Sequence, residues 1–194
     1  MRNMVPESAV LVPDHAECQF KGVIYEIYQW EENMFDGSKE IFEMLKRPDT
    51  VEVLVVDDNK ILVQYQEQPH YGEFTSFPGG RHDYEGDSEL DAAKRELRED
   101  SGYICSKWNL IEAIQPNTKI EQVVYTFLAS GIEEQVSMSL DSGEKIENRW
   151  VTLKEFLELI TETTFRSQSK KFLKNINEIN NLLALSSIHN YESS

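Results

Sequence analysis

Hydrophobic and polar residues alternate with a period near two along much of the first half of the chain. Residues 22–31, GVIYEIYQWE, mix β-branched and aromatic side chains with polar ones. A second such run, 40–45, follows the turn signal Asp36-Gly37-Ser38, so the pair predicts an N-terminal β-hairpin. Two Val/Ile-rich runs, 51–56 and 61–65, are joined by the polar tetrapeptide Asp57-Asp58-Asn59-Lys60 and predict a second, more buried hairpin. From 66 to 80 the chain is punctuated by Pro69, Gly72, Pro78, Gly79 and Gly80, with a short aromatic strand at 74–77.

The period then changes. Leu90, Ala93 and Leu97 recur at helical spacing, Ser88 and Asp91 approximate a capping box, and Gly102 ends the segment, which predicts a helix over 88–101. Strands are expected at 108–114 and 123–129, and a short edge strand at 149–151. Thr152 and Glu155 cap a further helix, and an amphipathic helix is expected over 167–185 before a frayed tail at 187–194. Strands interleaved with isolated helices imply an α/β fold with a mixed sheet and helices on its faces.

Composition narrows the function. At 194 residues the chain suits one main domain, and 19 basic against 35 acidic residues give a formal charge of −16. Such a chain repels phosphate backbones and anionic lipid, so no nucleic-acid or membrane partner is expected. Cys18 and Cys105 lie far apart without metal-ligand spacing, and no segment resembles a signal or spanning sequence; a cytoplasmic protein is expected. The histidines, among them His82 in the loop before the helix, are scattered, and neither Ser76 nor Cys105 has a base at readable spacing, which disfavours covalent catalysis.

The chemistry concentrates on the helix. Spacings of three and four place Glu96, Glu99 and Asp100 on one stripe. Like charges there cost a helix roughly a few tenths of a kcal/mol per pair unless a cation is bound, and Arg95 offsets only part of this. The preceding Pro78-Gly79-Gly80 allows close backbone approach, and its carbonyls are hard donors of the kind magnesium accepts beside carboxylates.

The stretch GGRHDYEGDSELDAAKRELREDSGY, from Gly79 to Tyr103, resembles the Nudix box. Arg95, Glu96, Leu97, Glu99, Asp100 and Gly102 are in register with its second half, and Asp87 stands where its first acid falls. Three departures stand out. Asp87 and Asp100 replace glutamates, and the loop between Gly80 and Asp87 is one residue longer than the family pattern. The resemblance implies a Nudix α/β/α sandwich over 49–186, preceded by an N-terminal β element over 1–48. It also implies Mg²⁺ or Mn²⁺ on Glu96, Glu99 and Asp100 with the Gly80 carbonyl, Arg95 orienting the acids and Asp87 structural.

Outside the box the chain resembles the ADP-ribose pyrophosphatase group, which implies a homodimer with the N-terminal element as its arm. It further implies cleavage of ADP-ribose or another nucleoside diphosphate sugar into a nucleoside monophosphate and a sugar phosphate. In that group a further acid follows the box, and Glu121 is the candidate, although anchoring on Phe127 puts Gln122 in its place. Trp30, Arg47 and Arg81 are candidate substrate contacts, with Trp30, Tyr28 and Phe35 readable either as a base platform or as hairpin core. Where the group carries an arginine two residues before a proline, this chain has Glu67 before Pro69. A carboxylate cannot replace a guanidinium fork, so either Lys46 or Arg47 binds phosphate or the substrate differs. The competing expectation is a Nudix-fold nucleotide-binding or regulatory protein with weak catalysis.

Overall fold

A computed structural model describes residues 2–173. Two sheets are present among them. The smaller contains β1 (Glu17–Lys21), β2 (Glu26–Asn33), β3 (Lys39–Lys46) and the two-residue β9 (Ile120–Glu121), in that spatial order. The larger runs β12 (Phe165–Arg166), β6 (Gly72–Ser76), β5 (Lys60–Gln68), β4 (Asp49–Asp57), β10 (Val124–Gln135) and β8 (Tyr103–Ile114). β11 (Lys145–Thr152) also pairs with β5, and β7 (Gly79–His82) with β4.

β4 shows why the sheet is mixed and doubly covered. It runs parallel to β10, with Val53 opposite Phe127, and antiparallel to β7 at its start and β5 at its end. Its side chains alternate between two cores, as a strand buried on both faces requires. Val51, Val53 and Val55 join Leu90, Ala93 and Leu97 of α1 (Glu89–Ser101), together with Tyr125 and Phe127. Leu54 and Val56 pack on the opposite side with Phe156 of α2 (Leu153–Leu159), Ile160, Phe165 and Leu173 of α3 (Lys170–Leu173). The result is an α/β/α sandwich. Leu97 is fully buried, and truncating such a leucine to alanine costs about 2–5 kcal/mol.

Both helix starts form the boxes expected of them: Ser88 with Asp91, and Thr152 with Glu155. α1 ends at Gly102, which has a left-handed φ of 76°.

Several bounds differ from expectation, and each difference is a tertiary effect. β8 begins at Tyr103 and β10 extends to Gln135, because the two pair along their whole length through polar positions. The short edge strand at 149–151 is the end of an eight-residue β11, zipped to β5 from Lys145 to Thr152. β1 precedes the predicted hairpin, and β7 forms from a Pro/Gly segment that takes its hydrogen bonds from β4. Residues 167–169 are not helical; the helix expected from 167 begins at Lys170, and its remainder and the tail at 187–194 fall outside the described residues. Among the described residues no helix is long and apolar enough to cross a membrane.

The first residues of the chain lie across the junction of the two sheets. The Arg2 guanidinium pairs with Asp49 at 2.6 Å and with Glu121 at 3.0 Å, and Val12 donates its N–H to Glu121 at 2.7 Å.

Candidate active site

Three elements build the site: the strand β7, the acidic stripe of α1, and the loop between β10 and β11. β7 must pass very close to β4 and to α1. Gly79 adopts φ 155°, and a Cβ there would overlap the Val51 carbonyl; a Cβ at Gly80 would overlap the Glu96 carboxylate. Gly79 is therefore required by the Val51 backbone, whereas a side chain at Gly80 would displace the Glu96 carboxylate.

On α1 the carboxylates are unequally buried. Glu99 is about one-third exposed, the Glu96 side chain 14% exposed, and Asp100 only 6%. Arg95 lies between the first two, its Nη1 donating to Glu96 at 2.8 Å and to Glu99 at 3.1 Å. Its Nη2 donates to the Arg81 carbonyl at 3.1 Å, its plane covers Tyr84, and Asp87 lies 3.6 Å from its Nε. Asp100 instead accepts the Gly79 N–H at 3.2 Å, while its own carbonyl accepts from Asn148 at 2.9 Å. Its short side chain thus ties the helix to β7.

Burial dominates the electrostatics. It pushes the Glu96 carboxyl up to about 7, with Arg95 pulling the other way. It pushes Asp100 up to about 8, where the Gly79 N–H lowers it and the charges of Glu96, Glu144 and Glu99 raise it further. Glu144 is a residue of this cluster that the sequence analysis missed. It sits in the loop between β10 and β11, half-buried, and its charge is felt by both Glu96 and Asp100. Its own carboxyl is raised by burial, and by the charges of Asp141 and Glu99. The loop is laid over the end of α1 by two backbone bonds, Val136 N–H to the Gly102 carbonyl and Ser139 N–H to the Glu99 carbonyl. No local motif marks Glu144; only this return of the chain brings it to the acids.

The donor set fits a hard divalent cation. Carboxylates held above their ordinary range by burial and mutual repulsion are stabilised in the charged form by a metal, and the Gly80 backbone lies against Glu96. Among the described residues no three acidic, histidine or cysteine side chains converge at ligand distance, and Arg95 is the counter-ion of Glu96 and Glu99.

Three sequence-based candidates lie elsewhere. Glu121 is not with the α1 acids: it is buried at the sheet junction, paired to Arg2 and to Lys46 at 2.9 Å. Burial alone would raise its carboxyl, but Lys46, the Val12 N–H and Arg2 together lower it. One position on, Gln122 lines the pocket beside Gly79 and Gly80 and donates to the Thr50 hydroxyl at 3.2 Å. The Arg81 side chain turns outward to Asp83 at 3.3 Å. Trp30 packs against Phe42 on the smaller sheet and donates to Glu32, and is not among the residues lining that pocket.

The pocket has a volume of about 300 Å³ and is lined by Arg47, Thr50, Gln122, Ser76 and Arg166 besides the two glycines. Of the two cations weighed for phosphate, Lys46 is committed to Glu121 and Arg47 lines the pocket. Glu67 pairs with Lys145 at 2.8 Å on the β5–β11 ladder.

Comparison with known proteins agrees with this architecture. The family model described as NUDIX domain matches residues 46–176. The chain is 31% identical over 147 residues to the ADP-ribose pyrophosphatase of Bacillus subtilis (strain 168), covering 73% of this chain and 78% of that protein. A solved structure described as an ADP compounds hydrolase superposes with a TM-score of 0.65 at 18% identity, covering 88% of this chain and 87% of its own, a likeness of fold. With the box residues in place on α1 and β7, the chain belongs to the Nudix family, as a hydrolase related to ADP-ribose pyrophosphatase.

Proposed function

We propose that the protein hydrolyses the diphosphate of ADP-ribose or another nucleoside diphosphate sugar, releasing a nucleoside monophosphate and a sugar phosphate, with Mg²⁺ (or Mn²⁺) as cofactor. The observation that carries the reading is the pair of buried carboxyls, Glu96 and Asp100, raised to about 7 and 8 directly beside the glycine pair of β7. Glu96, Glu99 and Asp100, with the Gly80 carbonyl, would hold the metal. When bound, it supplies neutralisation of diphosphate oxygens and acidification of the attacking water.

The chain's own groups do the rest. Arg95 keeps Glu96 and Glu99 in one orientation. Arg47 meets a phosphate entering the adjoining pocket, where its buried Nε has no protein partner. Glu144, half-buried and raised above its ordinary value, accepts the proton of the attacking water. The direct test is a panel of nucleotide sugars, dinucleotides and dinucleoside polyphosphates with products identified by mass spectrometry, with and without EDTA. Release of a nucleoside monophosphate only in the metal-containing arm is expected, and activity that survives chelation would sink the metal assignment.

One observation favours the weaker-catalysis alternative. Asp100 stands where the family has a longer glutamate, and one of its oxygens is already engaged by Gly79. A nucleotide-binding or regulatory protein would bind ligand in calorimetry indifferently to Mg²⁺ and without turnover.

A further inference from the structure

The pocket beside Gly79 and Gly80 is lined by a second arginine, Arg166, as well as Arg47. In a chain of 35 acidic and 19 basic residues, Arg2, Arg81, Arg95 and Arg149 pair with carboxylates, and Arg98 is exposed to solvent. Neither Arg47 nor Arg166 has an ion pair among the described residues. The Arg47 Nε is buried without a hydrogen-bond partner, and its Nη1 reaches only the Tyr25 hydroxyl, at 3.4 Å. The Arg166 guanidinium lies over the Phe74 ring at 4.1 Å and the Tyr71 ring at 4.7 Å. Stacking fixes its plane while leaving the edge N–H groups directed to bond two oxygens of a phosphate.

The backbone fixes where that fork stands. β12 pairs in parallel with β6, setting Arg166 opposite Ser76, itself a pocket residue. Glu52, the carboxylate on the pocket wall, accepts from the Ser167 hydroxyl at 2.7 Å and the Gln168 N–H at 3.0 Å. It therefore clamps the two residues after Arg166 and is not the counter-ion of Arg166. Glu67 is paired with Lys145 and offers no cation to the substrate.

We propose that Arg166 is a specificity-determining residue of this site, binding through its guanidinium fork the substrate phosphate that lies farther from the Glu96, Glu99 and Asp100 cluster, beside Arg47. This rests on the hydrolase reading for the nature of the substrate, a nucleoside diphosphate joined to a second group. Arg166 thereby performs the anion recognition that Glu67 cannot.

Calorimetry with α,β-methylene-ADP and with AMP, in Mg²⁺, on the full chain tests it. Wild type should prefer the diphosphate analogue. R166A should lose about ten- to hundredfold in affinity for the analogue and much less for AMP, the loss expected for a charge-assisted hydrogen-bonded pair. R166K, which keeps the charge without the fork, should remain weakened, and it carries the test if R166A does not fold. R149A, an arginine stacked on Tyr65 away from the glycine pair, serves as the control and should match wild type. Equal affinity of wild type and R166A for the analogue, an equal loss for AMP, or no binding of the analogue by wild type overturns the proposal. Wild type that binds the analogue but releases no monophosphate from nucleotide sugars overturns the hydrolase reading instead, and the two failures are thereby distinguished.

Discussion

The Gly79 N–H points at the Asp100 carboxylate, 3.2 Å away, so one buried acid both ties β7 to α1 and faces the proposed metal. Its carboxyl stands at about 8 and that of Glu96 at about 7, against ordinary values of 3.8 and 4.5. Between these limits the folded protein holds protons that the unfolded chain has released, so metal-free stability is greatest at low pH and falls as pH rises through the window from about 4 to 8. EDTA-treated protein should therefore melt several degrees lower at pH 8 than at pH 5.5. D100N, which keeps an acceptor for Gly79 and removes the titration, should show a smaller drop. Mg²⁺ should raise the wild-type melting temperature at pH 8 and affect D100N much less; a metal-free melting temperature independent of pH would contradict the burial of these acids.

Glu144 carries a second expectation. E144Q should lower kcat by about 10²- to 10⁴-fold, the usual worth of a positioned general base, with KM changed only a few-fold. The acid limb of the kcat/KM profile, set by a carboxylate held above its ordinary value, should disappear with it. E121Q should instead reduce stability by loosening Arg2 and Lys46. Reversal of those two phenotypes in steady-state kinetics and thermal melts would restore Glu121 as the catalytic acid.

The two cysteines should behave oppositely. Burial pushes the Cys105 thiol up to about 12, whereas Cys18 is exposed. Titration with DTNB at pH 8 should count one fast thiol in the native protein and two in guanidinium chloride. Two fast thiols in native buffer would mean that the core against α1 is open.

The smaller sheet presents Phe20, 58% exposed, and Ile41, 64% exposed, on one face, since their cross-strand neighbours Ile27 and Glu31 alternate together. A homodimer through this face is our expectation. Sedimentation velocity should show a dimer for wild type and a monomer for the double variant F20D/I41D; a wild-type monomer at micromolar concentration would rule the arm out as a dimerisation element.

What could be read from the sequence was whatever local chemistry specifies. The α1 stripe and both capping boxes depend on spacings of three and four, and the β4 run VEVLVV shows its two-sided burial directly. Glu144, Arg166 and the true environment of Glu121 depend on contacts between residues far apart in the chain. Glu144 meets α1 only because residues 136–139 are bonded across its end. Glu121 and Gln122 are adjacent, yet one pairs with Arg2 and the other lines the pocket, so the two alternatives left open in the sequence occupy different environments.

The seat of Arg2 has a consequence for how the protein is assembled. Its partners Asp49 and Glu121 lie 47 and 119 residues further on, and they adjoin the pocket residues Thr50 and Gln122. Contacts of such long sequence separation close late in folding, because the loop entropy must be met before they contribute. Arg2 is thus among the last residues to lock. In a refolding experiment one wall of the pocket should become rigid only in the slowest phase, after the sandwich has formed.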